Sequence, residues 1–530
     1  MEADETPVAD HPRWYGALAG VLAGVIALVF GELVEGVSDT IPGLVLGMGE
    51  WIVDVTPGSL VQENIENLGT RGKSWLLPGI TITALLIAAL LGDLSKRVSM
   101  KIGIVGFAAF GVLGGFTAAR NPQSPAFASW FWALVAAGLG VATLVFLLSR
   151  LYRPTRLAGV LEDPREKRAT RRAFISWSAG AGAVAVTGLA VAGRVEGDSA
   201  AEVARGELDF TGLGDTPTTS SPLQAPITPG SFDEIEGIGS FITPNNTFYR
   251  IDTALSVPQV DPDSWSLSIT GMVDNPYTLT FDEILAMDLE EHVITLSCVS
   301  NEVGGGLVGT ATWLGVPITQ LLDRAGVQEG ATQFVGRSVD DWTAGFPTEV
   351  LDDGRNALLA VAMNGEPLPI IHGFPARLVV AGLYGYVSAV KWIEEINLTG
   401  WDDFDGYWVP RGWSKLGPMK TMSRIDVPAN RSEVPAGTTA VAGVAWSPPR
   451  GIERVEVEFN LDDVWHECEI AAPGNDETWV QWKYEWDAPP GQHVLRVRAV
   501  DGAGERQPIG PKAVAPDGAE GWHVHQVRVV

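Results

Sequence analysis

Apolar residues follow two different patterns along this chain, and the change falls near position 193. Before it they run in long blocks, at 14–34, 75–92, 101–119, 127–149 and 174–193. Each block is close to the ~20 residues that a helix rising ~1.5 Å per residue needs to cross a bilayer core. Five membrane-spanning helices are therefore predicted. The stretch 40–61 is also apolar, but Pro42, Glu50, Asp54 and Pro57 make it a poor lipid-facing helix. It reads as re-entrant or lying flat at the interface. Basic residues gather in two loops. Lys96, Arg97 and Lys101 lie in one; Arg150, Arg153, Arg156, Arg165, Lys167, Arg168, Arg171 and Arg172 lie in the other. Basic loops stay cytoplasmic, so the N-terminus is expected inside and everything after Arg194 outside.

Beyond 193 the blocks give way to short periods. Residues 194–231 contain Thr216-Pro-Thr-Thr-Ser-Ser-Pro222 and Pro226, with few large apolar side chains, and read as a linker. From 232 to 426, short strands (Trp265–Thr270, His292–Ser297, Ala376–Ala381) mix with short helices (Phe281–Met287, Ile318–Ala325), an α+β pattern. From 427 to 530 strict alternation takes over. Val455, Val457 and Phe459 alternate with Arg454, Glu456 and Glu458; Trp482, Tyr484 and Trp486 with Lys483 and Glu485; Leu495, Val497 and Ala499 with Arg496 and Arg498. Short strands joined by Pro and Gly turns predict an immunoglobulin-like β-sandwich. The expected architecture is multi-domain: an N-terminal α-helical membrane domain (1–193), an α+β domain and a C-terminal sandwich.

Charge sharpens the division. Residues 1–193 hold 15 acidic and 15 basic side chains, and residues 194–530 hold 49 and 21, so the net charge of −28 lies wholly in the second part. A surface this acidic, with only 9 lysines in the chain, suits concentrated salt, where like charges are screened. It argues against nucleic acid as a partner.

Candidate chemistry is sparse. The two cysteines do not form a disulfide framework, and Cys468 alternates with polar neighbours as a buried strand residue would. The only histidine before His292 is His11, outside the spans, and no Cys-x-x-Cys-His motif occurs. A bis-histidine haem in the helical domain is thereby excluded. His523 and His525 share one side of the last strand, but no third ligand lies near them in sequence, and a metal site there is rejected. Cys298, in Thr295-Leu-Ser-Cys-Val-Ser-Asn-Glu-Val-Gly-Gly-Gly306, has no second Cys or His beside it. One thiolate cannot build a zinc or iron–sulfur site, so a metal there would take its other ligands from a cofactor.

This segment resembles the metal-ligand region of the sulfite oxidase family of molybdopterin oxidoreductases, as a membrane-anchored haloarchaeal-type member. The resemblance continues through Trp313-Leu-Gly-Val-Pro-Ile-Thr-Gln-Leu-Leu-Asp-Arg-Ala-Gly326, Met363-Asn-Gly-Glu-Pro-Leu-Pro369, His372-Gly-Phe-Pro-Ala-Arg377 and Gly385-Tyr-Val-Ser-Ala-Val-Lys-Trp392, with Thr243-Pro-Asn-Asn-Thr-Phe-Tyr-Arg250 upstream. It implies a sulfite-oxidase-type molybdopterin domain over 232–426, a dimerisation-type sandwich and a molybdenum–molybdopterin cofactor, with Cys298 as the metal ligand and catalytic centre. Asn246, Tyr249, Arg250, His372, Arg377, Ser388 and Lys391 match the cofactor contacts, Arg377 suiting a phosphate through its two-pronged guanidinium. Thr170-Arg-Arg-Ala-Phe-Ile-Ser176 resembles a twin-arginine export signal.

Two departures bear on the substrate. Sulfite-oxidising members carry a tyrosine where this chain has Val361, and arginines where it has Glu302 and Val303. A dianion is poorly served by that exchange. The resemblance therefore implies oxygen-atom transfer on a small or protein-bound substrate, of sulfoxide rather than sulfite type, with Tyr384 or Tyr386 as candidates to stand in for the missing tyrosine. Electrons would reach the site through a separate quinone or small redox protein. The alternative is a non-catalytic surface binding protein on a degenerate molybdoenzyme fold.

Overall fold

The apolar blocks form helices. In a computed structural model describing residues 14–38, 40–58, 60–61, 71–150, 164–195, 199–208, 210, 231–472 and 474–530, these are α1 (Trp14–Val37), α2 (Leu44–Val55), α3 (Arg71–Arg97), α4 (Met100–Ala118), α5 (Ala126–Ser149) and α6 (Pro164–Val195). Five of them, all but α2, are long and apolar enough to cross a membrane. With 12 residues, α2 extends about 18 Å and is too short to span. Glycines set how closely α1 and α3 approach: a Cβ at Gly20 would overlap the backbone of Ala88, and one at Gly92 the backbone of Gly16 and Gly20. Small residues at such crossings are what helix packing in lipid requires. The Arg171 side chain, and most of the stretch predicted as a linker, lie outside the described residues.

The chain divides into two compact units, one of Met1–Ser199 with Ala254–Gln259, the other of Ala200–Thr253 with Val260–Val530. The second unit opens with α7 (Ala200–Glu207) inside the stretch read as linker. Arg205 anchors it, its guanidinium donating to the carbonyls of Pro367 and Leu368 and pairing with Glu366 at 3.3 Å. Few apolar residues concealed a helix that is held by hydrogen bonds.

Ten strands follow: β1 (Ser266–Gly271), β2 (Tyr277–Thr280), β3 (Glu290–Ser297), β4 (Val308–Pro317), β5 (Gln333–Ser338), β6 (Thr343–Pro347), β7 (Ala357–Met363), β8 (Glu366–Pro367), β9 (Arg377–Val380) and β10 (Ile393–Thr399). One sheet runs β2-β1-β10-β5-β6, and the other runs β3-β4-β7-β8 with β9 added on β7. Helix α8 (Phe281–Leu285) begins at a capping box between Thr280 and Glu283. Helix α9 spans Ile318–Ala325 and closes on Gly326, which takes the left-handed conformation. The four-residue α10 (Gly385–Ser388) completes the helices.

Strands β11 (Met422–Val427), β12 (Glu433–Val434), β13 (Gly437–Trp446), β14 (Ile452–Phe459), β15 (Trp465–Glu467), β16 (Glu469–Ile470), β17 (Val480–Ala488), β18 (Gly491–Asp501) and β19 (His523–Val529) form two further sheets, β11-β13-β17-β16 and β12-β19-β18-β14-β15. Their inward faces share one core containing Val441, Val455, Val457, Trp482, Trp486, Leu495 and Val497. These are largely the alternating positions of the sequence.

The sandwich is tied to the strand leading to Cys298. The Thr295 amide donates to the Glu477 carbonyl at 3.0 Å, and Thr295 Oγ1 accepts from the Trp479 amide at 2.7 Å. The buried Glu477 carboxylate accepts from both Asn356 N and Asn356 Nδ2 at 2.7 Å. Glu477→Ala would leave both Asn356 donors unpaired, at ~1–3 kcal/mol each if water does not reach them. The expected result is a melting temperature lowered by several degrees, measured by thermal unfolding of the full chain in detergent; an unchanged value would show that water replaces the carboxylate.

Candidate functional site

Strand β3 ends at Ser297, and the turn that follows presents Cys298. The turn is held from within. Cys298 N donates to the Leu307 carbonyl at 2.9 Å, Asn301 N to the Cys298 carbonyl at 3.0 Å, and Asn301 Oδ1 accepts from Leu307 N at 2.8 Å. The thiol is 8% exposed and accepts one long contact, from Ser300 N at 3.4 Å. Burial pushes its pKa up, against the opposing effect of the Ser300 contact. Without a metal the sulfur is held as the thiol.

Two phenols, Tyr249 and Tyr384, lie near enough to interact with it, and a set of cations adjoins Tyr249 and His372. Tyr249, half-buried, has its phenol raised by burial and then by the nearby Cys298 charge, with Arg377 opposing. Its ring stacks on Phe248, which meets the Trp313 and His372 rings edge-on. His372, almost fully buried, donates Nε2–H to the Asn245 carbonyl at 3.0 Å. Burial lowers its pKa to about 4, with the charges of Arg377, Lys391 and Arg250 adding to the effect. Lys391 pairs with Asp252 at 2.7 Å, and Arg250 reaches the same carboxylate at 2.9 Å. Burial lowers Lys391 to about 8, against the pull of Asp252. Ser388 is buried, its hydroxyl donating to the Tyr384 carbonyl at 3.1 Å.

Arg377 is different. It is 5% exposed, yet its guanidinium donates only to the carbonyls of His372 (3.1 Å) and Leu378 (3.4 Å) and lies 5.0 Å from the Trp313 ring centre. Among the described residues no carboxylate forms an ion pair with it. Burial lowers its pKa to about 10, a sign of a cation desolvated without an anion.

Of the residues singled out in the sequence, Tyr249, Arg250, His372, Arg377 and Lys391 meet in one network with Cys298 beside it, and Ser388 packs under Tyr384. Asn246 does not join them: it is exposed, and the adjacent Asn245 is the one bound in, through Met363 O and Asn364. Pattern alone cannot choose between neighbouring asparagines. Also missed were Asp252, whose only signal is its place two residues after Arg250, and Asn301, whose buried Nδ2 has no partner among the described residues. Of the two tyrosines considered for the gap left by Val361, Tyr386 is committed elsewhere, donating to the Ser414 and Leu416 carbonyls. Tyr384 lies close to Cys298: the following Gly385 sits against the Ser297 carbonyl. Burial raises its phenol to about 12, and the Cys298 charge adds to this. Val361 is fully buried in β7, Val303 packs with Phe241, Met422 and Trp446, and Glu302 is exposed. His523 and His525 serve as hydrogen-bond partners of Ile425 N and Pro428 O.

The family model of the oxidoreductase molybdopterin binding domain matches residues 254–408, which include Cys298, His372, Arg377 and Lys391. Mitochondrial sulfite oxidase of Rattus norvegicus is 28% identical over 345 residues, covering 55% of this chain and 62% of that one. Nitrate reductase [NAD(P)H] of Hordeum vulgare is 27% identical over 331 residues, covering 51% and 37%. Residues 254–408 therefore carry a molybdopterin-binding oxidoreductase domain, similar in sequence to that of the sulfite oxidases. Among solved structures, the sulfane dehydrogenase SoxCD of Paracoccus pantotrophus aligns over 59% of this chain and 92% of that one, with 22% identity and a TM-score of 0.49. This chain spans less than two thirds of the length of the mammalian sulfite oxidases it matches, 58–62%. A domain of this kind implies a molybdenum–molybdopterin cofactor.

The donor set suits that group. A soft sulfur, a buried guanidinium lacking an anion and a buried amide lacking an acceptor are what a metal, a phosphate and a pterin edge would satisfy. The neutral state of His372 also has a measurable consequence. Its folded pKa is depressed, so its contribution to stability is present above the unfolded value near 6.5 and lost as pH falls towards about 4. Cofactor-free protein is expected to lose ~1–3 kcal/mol over that window, and His372→Gln should lose less. Denaturant melts at pH 7 and pH 4.5 would show this; equal losses in both proteins would assign the effect to other groups.

Proposed function

We propose that this chain is a membrane-anchored, extracytoplasmic molybdopterin-dependent oxidoreductase that acts by oxygen-atom transfer, on a sulfoxide-type substrate rather than sulfite. The observation that carries the proposal is the buried Arg377 guanidinium, which interacts with Tyr249 as Cys298 does and has no carboxylate paired with it among the described residues. Cys298 would ligate the molybdenum. Arg377 would take the phosphate of the pterin, while Tyr249, His372, Asn301 and the Lys391–Asp252–Arg250 group would meet its polar edges. When bound, this cofactor supplies a two-electron metal couple and an exchangeable oxygen. The protein's own part is to hold that group with its donors oriented in advance, to keep Arg377 and His372 away from water, and to place Tyr384 Oη–H near the sulfur side of the site.

Sidedness follows from the basic loops, with the outer unit across the membrane from Lys96, Arg97 and Lys101. The Arg171–Arg172 pair is suited to export of a folded, cofactor-loaded domain. The acidic outer surface suits concentrated salt, and the C-terminal sandwich is read as immunoglobulin-like. Electrons would pass to or from a separate carrier, a quinone or a small redox protein.

Molybdenum and pterin quantitation of the wild type beside Cys298→Ser tests the proposal. About one molybdenum per wild-type chain, and loss of metal from the variant, is expected; metal-free wild type from a molybdate-replete, cofactor-competent host would favour the binding-protein alternative. Sulfite and sulfoxide assays on the loaded enzyme are expected to give negligible sulfite turnover. Robust sulfite oxidation would overturn the inference drawn from Val361 and Glu302.

A further inference from the structure

The turn that carries Cys298 is enclosed from a second side by the sandwich. Gly304 has φ +77°, a conformation that favours glycine, and a Cβ added there would overlap the His523 imidazole of β19. The His523 ring is itself fixed. Nδ1 accepts from Ile425 N at 3.0 Å, so in the neutral ring the proton lies on Nε2, which faces Gly304. One residue on, the Gly305 carbonyl accepts from Arg424 Nη1 at 3.0 Å. Arg424 is held in turn by Asp426 at 2.6 Å, and Asp426 accepts from Gly239 N at 2.9 Å. On the inner side, the buried Asn301 side chain, through its bond to Leu307 N, ties the turn back onto the stem that holds Cys298. The 304–305 segment is thus gripped between two groups of the sandwich and one asparagine of the turn, and it has no slack through which Cys298 could shift independently.

We propose that His523 and Arg424 are positioning residues for Cys298: the sandwich sets the sulfur's place by clamping the Gly304–Gly305 segment of its turn. The idea rests on Cys298 being the molybdenum ligand. Groups that orient a metal's ligands typically change affinity or activity by about 10–100-fold when removed, and here they would act from the neighbouring sandwich.

The test uses the full-length, cofactor-loaded protein. His523→Asn keeps an acceptor for Ile425 N while removing the ring edge from Gly304. Arg424→Gln removes the charge-assisted bond to Gly305 and leaves the sandwich core untouched. The expected result for each is an altered Mo(V) electron paramagnetic resonance spectrum and roughly tenfold slower oxygen-atom transfer, with an unchanged melting temperature for His523→Asn and a lowered one for Arg424→Gln, which also breaks the ion pair with Asp426. His523→Gln, which cannot place an acceptor at the Nδ1 position, should also lower the melting temperature. The proposal is overturned if both His523→Asn and Arg424→Gln give wild-type spectra, or if any spectral change appears only in proportion to lost thermal stability. Metal-free wild type would count against the proposed function instead, so the two failures are distinct.

Discussion

A guanidinium removed from water has to be repaid in charge, and the arrangement around Arg377 leaves that requirement open. Desolvating a cation costs several kcal/mol, even after the protein relaxes around it. Here the compensation consists of two carbonyl oxygens and the face of Trp313, which are dipoles and a quadrupole rather than a full negative charge. The nearby cations are treated otherwise, since Lys391 and Arg250 share Asp252. Among the described residues the fold supplies a carboxylate to two cations and none to a third, more buried one, which is the arrangement the proposed anion at Arg377 would complete.

Cys298 presents the complementary problem. Its surroundings raise the thiol pKa, so the thiolate a metal needs is disfavoured in the isolated protein and gains stability only when the metal arrives. The Arg377 cation and the Cys298 sulfur are therefore each incompletely satisfied alone. In the proposed arrangement a single ligand carrying both a metal and a phosphate would relieve both, and would couple cofactor binding to the stability of the β3 turn and of β9. That coupling explains why the site is built on strands: Arg377 begins β9 and is registered opposite Ala360 of β7, so its depth is fixed by a sheet rather than by a loop.

How much of this could be read from the sequence depended on whether a feature was periodic or singular. The five long helices, the alternating strands of the sandwich and the α9 boundaries were legible because each repeats a signal over many residues. Helix α7 was not, because its attachment through Arg205 depends on carbonyls 160 residues away that no local pattern announces. Within the site, motif order singled out Tyr249, Arg250, His372, Arg377 and Lys391, which the fold brings into one network. It also singled out Asn246, which is exposed, while the adjacent Asn245 is bound in; both fit the same local pattern and only burial separates them. Asp252 and the buried amide of Asn301 carry no residue-type signature at all; their importance lies in what they face.

The charge inventory also constrains the substrate. Three cations belong to the network: Arg250 and Lys391 share the single negative charge of Asp252, while in the proposed arrangement Arg377 serves the cofactor's phosphate. The positions after Cys298 add an exposed carboxylate at Glu302 and a packed methyl surface at Val303, and Val361 contributes no hydroxyl. A dianion entering this site would find at most the one positive charge left over from the Arg250–Lys391–Asp252 group and would approach through the field of a strongly acidic outer unit, a field that salt weakens but does not reverse. A neutral sulfoxide asks less of the protein. Its oxygen needs one hydrogen-bond donor, and Tyr384, whose phenol burial raises to about 12, is the proposed source, protonated throughout the physiological range.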